Sequence, residues 1–85
     1  MNERTSYAPL ITLISNSLEA RAESLQTRAD MFQQSGDYYR SFHALGLSHA
    51  YGHMAYHMLE LLGSIPSEAT AEEVLNAIHE IVSKL

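Results

Sequence analysis

Ser35-Gly36-Asp37 separates two long stretches of helical periodicity and leaves almost no slack between them. Gly36 is free to take a left-handed conformation that ends one helix, and Asp37 has the side chain to cap the next. A connection this short returns the chain alongside itself, so the sequence predicts two antiparallel helices joined by a tight turn.

The first period begins at Pro9, a residue suited to a helix's opening turn. Leu10, Ile11, Leu13, Ile14, Leu18, Leu25, Ala29 and Phe32 then recur at three- and four-residue intervals, which predicts helix one over about 9–34. Helix two is predicted over about 38–62, with Ala44, Leu47, Ala50, Tyr51, Met54, Ala55, Met58, Leu61 and Leu62 in one broad arc taken as its core face. Gly63 and Pro66 break that helix. Thr70-Ala71-Glu72-Glu73 has the spacing of a capping box, and Val74, Leu75, Ile78, Ile81, Val82 and Leu85 follow it, so helix three is expected over about 71–84. No strand alternation, internal repeat or low-complexity segment is present, and no coiled-coil heptad is read beyond two or three turns. The expected fold is all-α: an antiparallel helical hairpin of two long helices plus a shorter third, one domain over residues 1–85.

Two helices of about 25 residues reach about 37 Å, and the third is little more than half as long. It cannot cover the whole hairpin. Phe42, Leu45 and Leu59 also fall on the flank or back of helix two, outside its core arc. Both features predict self-association, with two hairpins pairing as a homodimeric helical bundle.

Composition removes several functions. Ten acids against five bases give a formal charge of −5, and Arg4, Arg21, Arg28, Arg40 and Lys84 are scattered singly. Such a chain lacks the clustered basic face that neutralises phosphates, so no nucleic-acid partner is expected. No cysteine is available for disulfides, thiolate metal sites or nucleophilic chemistry. The segment from Met1 to Ile14 is too brief in its apolar part for a signal-peptide core, and no run approaches a membrane span, so a cytoplasmic protein without membrane contact is expected. No HExxH, phosphate loop, dinucleotide fingerprint or glycine-flanked serine occurs, and catalysis is not expected.

His49, His53 and His57 stand at successive four-residue steps on helix two, with Glu60 beyond them. A histidine pair at i and i+4 can chelate zinc, nickel or copper, and a two-fold dimer could supply further ligands. The candidate metal residues are therefore His49, His53 and Glu60. The same strip is also a candidate surface for a protein partner, and the expected interface residues are Tyr38, Tyr39, Phe42, His49, His53, Tyr56 and Glu60. Acids at Glu68, Glu72, Glu73 and Glu80 would steer a basic partner.

The segment from Ala29 to Phe42, centred on Gly36-Asp37-Tyr38, resembles a turn found in tetratricopeptide repeats, in HEPN domains and in a small archaeal helical-hairpin family of unknown function. Ala50-Tyr51-Gly52 is similar to a later stretch of that archaeal family. In active HEPN domains an arginine precedes a histidine by a few residues, and Arg40, His43 and His49 depart from that spacing. The resemblance therefore implies a binding or structural role rather than RNA cleavage. On these grounds the expected function is a non-enzymatic protein–protein interaction module (a small adaptor, inhibitor or assembly factor), with a metal-responsive dimer as the alternative.

Overall fold

The computed structural model of the protein describes residues 3–85, so Met1 and Asn2, where the reading of the chain's first segment began, lie outside the described residues. Three helices follow in order: α1 (Ala8–Gln34), α2 (Tyr38–Ser64) and α3 (Ala71–Ser83). The fold is all-α. The described residues contain no strand, only an isolated antiparallel bridge in which Thr5 and Ala69 exchange two backbone hydrogen bonds of 2.9 Å. That bridge fastens the chain ahead of α1 to the loop ahead of α3.

The breaks fall where local chemistry puts them. Gly36 has φ +83°, the Asp37 amide donates to the Phe32 carbonyl at 2.9 Å, and the Gly36 amide donates to Gln33 at 3.1 Å. These two bonds form the Schellman arrangement that satisfies the last carbonyls of a helix. Asp37 then accepts a hydrogen bond from the Arg40 amide at 3.1 Å and caps α2. At its far end α2 runs two residues past the expected Leu62. Gly63 and Ser64 stay helical, and the break waits for Ile65, which is extended because Pro66 follows it.

Three buried serines fix how α1 and α2 lie together. Ser15 donates to the carbonyl of Ala55 at 3.0 Å, Ser48 to that of Ala22 at 2.7 Å, and Ser41 to that of Ala29 at 2.8 Å. As the α1 member of each pair advances by seven residues its α2 member retreats by seven, so the two helices run in opposite directions in a single register. A serine hydroxyl reaches a backbone oxygen on a neighbouring helix only when the axes are close, toward the short end of the usual 8–10 Å range. Alanine and serine at the contact permit that approach.

Around these pairs runs a continuous seam. Ile11, Ser15, Leu18, Ala22, Leu25, Ala29 and Phe32 on α1 alternate four- and three-residue steps, as do Ser41, Ala44, Ser48, Tyr51, Ala55, Met58 and Leu62 on α2. All fourteen are buried or half-buried. This corrects the sequence reading, which found no sustained heptad. Serines hold seam positions that a hydrophobic pattern leaves blank, and their hydroxyls avoid the cost of burial by donating across the interface. The expected core arc of α2 is correspondingly rotated: Ser41 and Ser48 are inside, whereas Leu47, Ala50 and Met54 are exposed. Leu10, Leu13 and Ile14 on α1 are exposed as well.

α3 docks at one end of this pair. Leu61, only 1% exposed, meets Ile11 and Ala77 in the main apolar cluster, with Tyr7, Met58, Leu62, Ile65, Val74 and Ile81 packed around it. α3 is strongly one-sided in its hydrophobicity, as a helix covering a core should be. It is 13 residues against 27 in each long helix, so the other end of the pair has no such cover. The molecule is accordingly elongated, 55 × 24 × 19 Å.

The start of α3 carries the expected capping box. The Glu73 amide donates to the Thr70 hydroxyl at 3.2 Å, and the Thr70 amide donates to the Glu73 carboxylate at 3.1 Å. Arg4 approaches the same carboxylate at 2.8 Å. The Thr70 amide is the chief cause that holds the Glu73 carboxyl below its ordinary range; desolvation opposes it, while the Thr70 hydroxyl and Arg4 add to it. A carboxyl lowered on folding favours the folded state at neutral pH, and that contribution fades as pH falls through the ordinary carboxylate range, about 4.3, to the lower folded value. Amide protection in the first turn of α3 is thus expected to weaken below about pH 4. Glu73→Gln should remove this pH dependence, which hydrogen exchange at pH 7 and pH 3.5 would check.

Candidate protein-interaction surface

α2 has almost no amphipathic asymmetry, and apolar residues stand all round it. A helix of that kind belongs inside a larger packed structure, yet here it has α1 on one side and α3 over one end. The excess apolar surface is ordered. Phe42, Leu45, His49, Gly52, Tyr56, Leu59 and Gly63 each follow a seam residue by one position, and Tyr38 extends the line one turn earlier. One position is 100° round a helix, so this is a second stripe with the same four-three spacing, turned away from α1.

Most of the stripe is open. Phe42 is 70% exposed, Tyr56 64%, Tyr38 59% and Leu59 50%, whereas Leu45 and Gly52 are half-buried. The corresponding line on α1, also one position beyond its seam, reads Thr12, Asn16, Glu19, Glu23, Gln26, Asp30 and Gln33. Every member is polar, as a solvated helix face should be. The contrast between the two helices marks the α2 stripe as a surface with something to cover.

Of the residues expected at an interface, Tyr38, Phe42, His49 and Tyr56 lie on this stripe. Tyr39, His53 and Glu60 lie one further line round the helix, exposed beside it. Leu45, Gly52 and Leu59 are stripe members that were not among the candidates, although the off-arc placement of Leu45 and Leu59 was already visible. The signal that completes the set is the repeat of the seam spacing one residue on.

The histidines divide between two settings. His57 Nδ1 is 2.8 Å from the Glu60 carboxylate, and the rings of Tyr56 and His57 meet edge to face at 5.6 Å. Glu60 therefore has His57 as its partner, while His49 and His53 point outward without it. Among the described residues no group of three or more histidines and acids is arranged to hold a metal ion.

A separate apolar groove of about 280 Å³ lies where α3 meets the long helices, walled by Leu18, Met54, Met58, Leu61, Ile78 and Val82. Its surface is almost wholly carbon, with none of the convergent polar groups that orient a small ligand. No buried side-chain nitrogen or oxygen among the described residues lacks a hydrogen-bond partner. No helix among the described residues is long and apolar enough to cross a membrane.

Compared with family models, curated proteins and solved structures, the chain matches none.

Proposed function

We propose that this protein is a non-enzymatic protein–protein interaction module of the cytoplasm, a helical hairpin with a short third helix whose working surface is the second stripe of α2. The observation that carries this reading is the apolar line from Tyr38 to Leu59, repeated at seam spacing, in which Tyr38, Phe42, Tyr56 and Leu59 are left uncovered. Tyrosine and phenylalanine are enriched at interfaces, since aromatic side chains bury large areas at little cost in rotamer freedom. Adaptor, inhibitor and assembly-factor roles all use a surface of this kind.

The test is chemical crosslinking in the protein's own host. Tagged wild-type chain is expected to give a discrete adduct, and the Phe42→Glu/Tyr56→Glu double variant, which puts charge on the stripe without touching the seam, is expected to lose it. An adduct pattern unchanged by those charges would overturn the reading.

Metal is not required by this surface. His49 and His53 have room to bind zinc, nickel or copper, but Glu60 is already engaged by His57 at 2.8 Å. Adding zinc after chelator treatment is expected to leave the solution mass unchanged. Stoichiometric binding that disappears in His53→Ala would instead favour a metal-responsive module.

A further inference from the structure

The two halves of the α2 stripe are unlike each other in a complementary way. Its first half carries Tyr38, Phe42 and Leu45, three large side chains in succession. Its second half sets two large side chains between two gaps: Gly52, Tyr56, Leu59, Gly63. Over both glycines the space is open, with no atom within 4 Å of where a Cβ would stand. Glycine inside an exposed helix costs about 1 kcal/mol relative to alanine, and close approach of another backbone is the usual compensation.

We propose that the occupant of this stripe is a second copy of the chain, its α2 lying antiparallel to the first about a two-fold axis that passes by His49 and Gly52. This rests on reading the stripe as an interface, and names what covers it. Reversal about that axis lays Tyr38 of each copy over the partner's Gly63 and His49 over its Gly52, so that each glycine of the stripe meets a large side chain, while Phe42 and Leu45 come beside the partner's Leu59 and Tyr56. Parallel pairing would do the opposite, setting Phe42 against Phe42 and glycine against glycine. A stripe that is its own complement under reversal is what a two-fold interface demands, because one patch must serve both partners.

The neighbouring line obeys the same reversal. Tyr39 would come beside the partner's Glu60, a phenol beside a carboxylate, and Gly46 beside the partner's His53. Gly46 too has open space above it. From Tyr38 to Gly63 the stripe extends about 37 Å. Burying it on both copies removes several hundred Å² from each, approaching the about 800 Å² per partner of a stable specific interface. α1 and α2 themselves already pack antiparallel with small residues in register, and the dimer repeats that solution one face further round.

The chain has no cysteine, so single cysteines can map the pairing directly. A disulfide needs Cα atoms within about 7 Å. Under mild oxidation at pH 8, His49→Cys and Gly52→Cys are expected to form covalent dimers with themselves. Phe42→Cys and Leu59→Cys are expected not to, because across the axis each lies about 25 Å from its own copy, yet the two should link when mixed. Circular dichroism of each variant checks that it is folded, and light scattering of the cysteine-free chain is expected to give twice 9.5 kDa. Self-linking at all four positions would mean parallel pairing and would overturn the proposal, as would a dimer that links at none of them. A monomeric chain whose stripe-dependent adduct in the host is a different protein would also overturn it, while leaving the interface reading intact; absence of any stripe-dependent adduct would remove both.

Discussion

Replacing Leu61 by alanine is expected to cost about 2–5 kcal/mol, the usual range for emptying a fully enclosed leucine site. Leu61 is the largest hydrophobic side chain closed off from solvent, and it is the point at which α1, α2 and α3 meet through Ile11 and Ala77. In a chain this small the core is thin, since six of its nine buried hydrophobic residues are alanines. Each kcal/mol lowers the unfolding midpoint of such a domain by about 4–8 °C, so a thermal scan should show a fall of 10 °C or more. Hydrogen exchange would show α3 losing protection first, because Ala77 loses its contact. A midpoint within a few degrees of wild type would mean that α3 is not anchored there.

Ser48→Leu is expected to be the second most damaging single change, although it makes the seam more hydrophobic. The Ser48 hydroxyl donates to the Ala22 carbonyl at 2.7 Å, so the two backbones leave no room for three more carbon atoms. Overpacking costs about 1–3 kcal/mol, and the lost hydrogen bond adds about 1 kcal/mol. Ser48→Ala loses only the hydrogen bond and should cost about 1 kcal/mol. The order of the two variants in a denaturant titration is the informative result. In a seam with ordinary leucine-sized spacing, leucine would be the more stable of the two.

These two residues also mark what could and could not be read from the sequence. The turn at Gly36-Asp37, the capping box at Thr70–Glu73 and the three helices were legible because each depends on a few neighbouring residues whose chemistry is local. Leu61 was legible as core, being apolar at the expected spacing. Ser15, Ser41 and Ser48 were not, because a buried serine is tolerated only through a carbonyl supplied by another helix, and that partner lies 40, 12 or 26 residues away. Missing them made the heptad look interrupted and rotated the expected core face of α2 toward Leu47 and Met54. The candidate interface suffered in the same way: Phe42 and Tyr56 stood out as aromatic, but Gly52 and Leu59 join them only once the true seam has shown where the next line begins. The pairing of His57 with Glu60 depends on rotamers that spacing alone does not specify.

The surface on α2 also bears on stability. With so few large residues enclosed, the isolated chain has little to offset the conformational entropy of ordering three helices. Burying Tyr38, Phe42, Tyr56 and Leu59 against a partner would add apolar burial worth about 25 cal/mol per Å². Stability should therefore rise with protein concentration, since anything that binds the folded form alone pulls the equilibrium toward it.

The most direct measurement is the solution mass of the wild-type chain and of Phe42→Glu/Tyr56→Glu, taken side by side by light scattering at pH 7.5. Twice 9.5 kDa for the wild type and 9.5 kDa for a still-helical variant is the expected result. The same mass for both chains, whether monomer or dimer, would contradict an assembly built on the second stripe of α2.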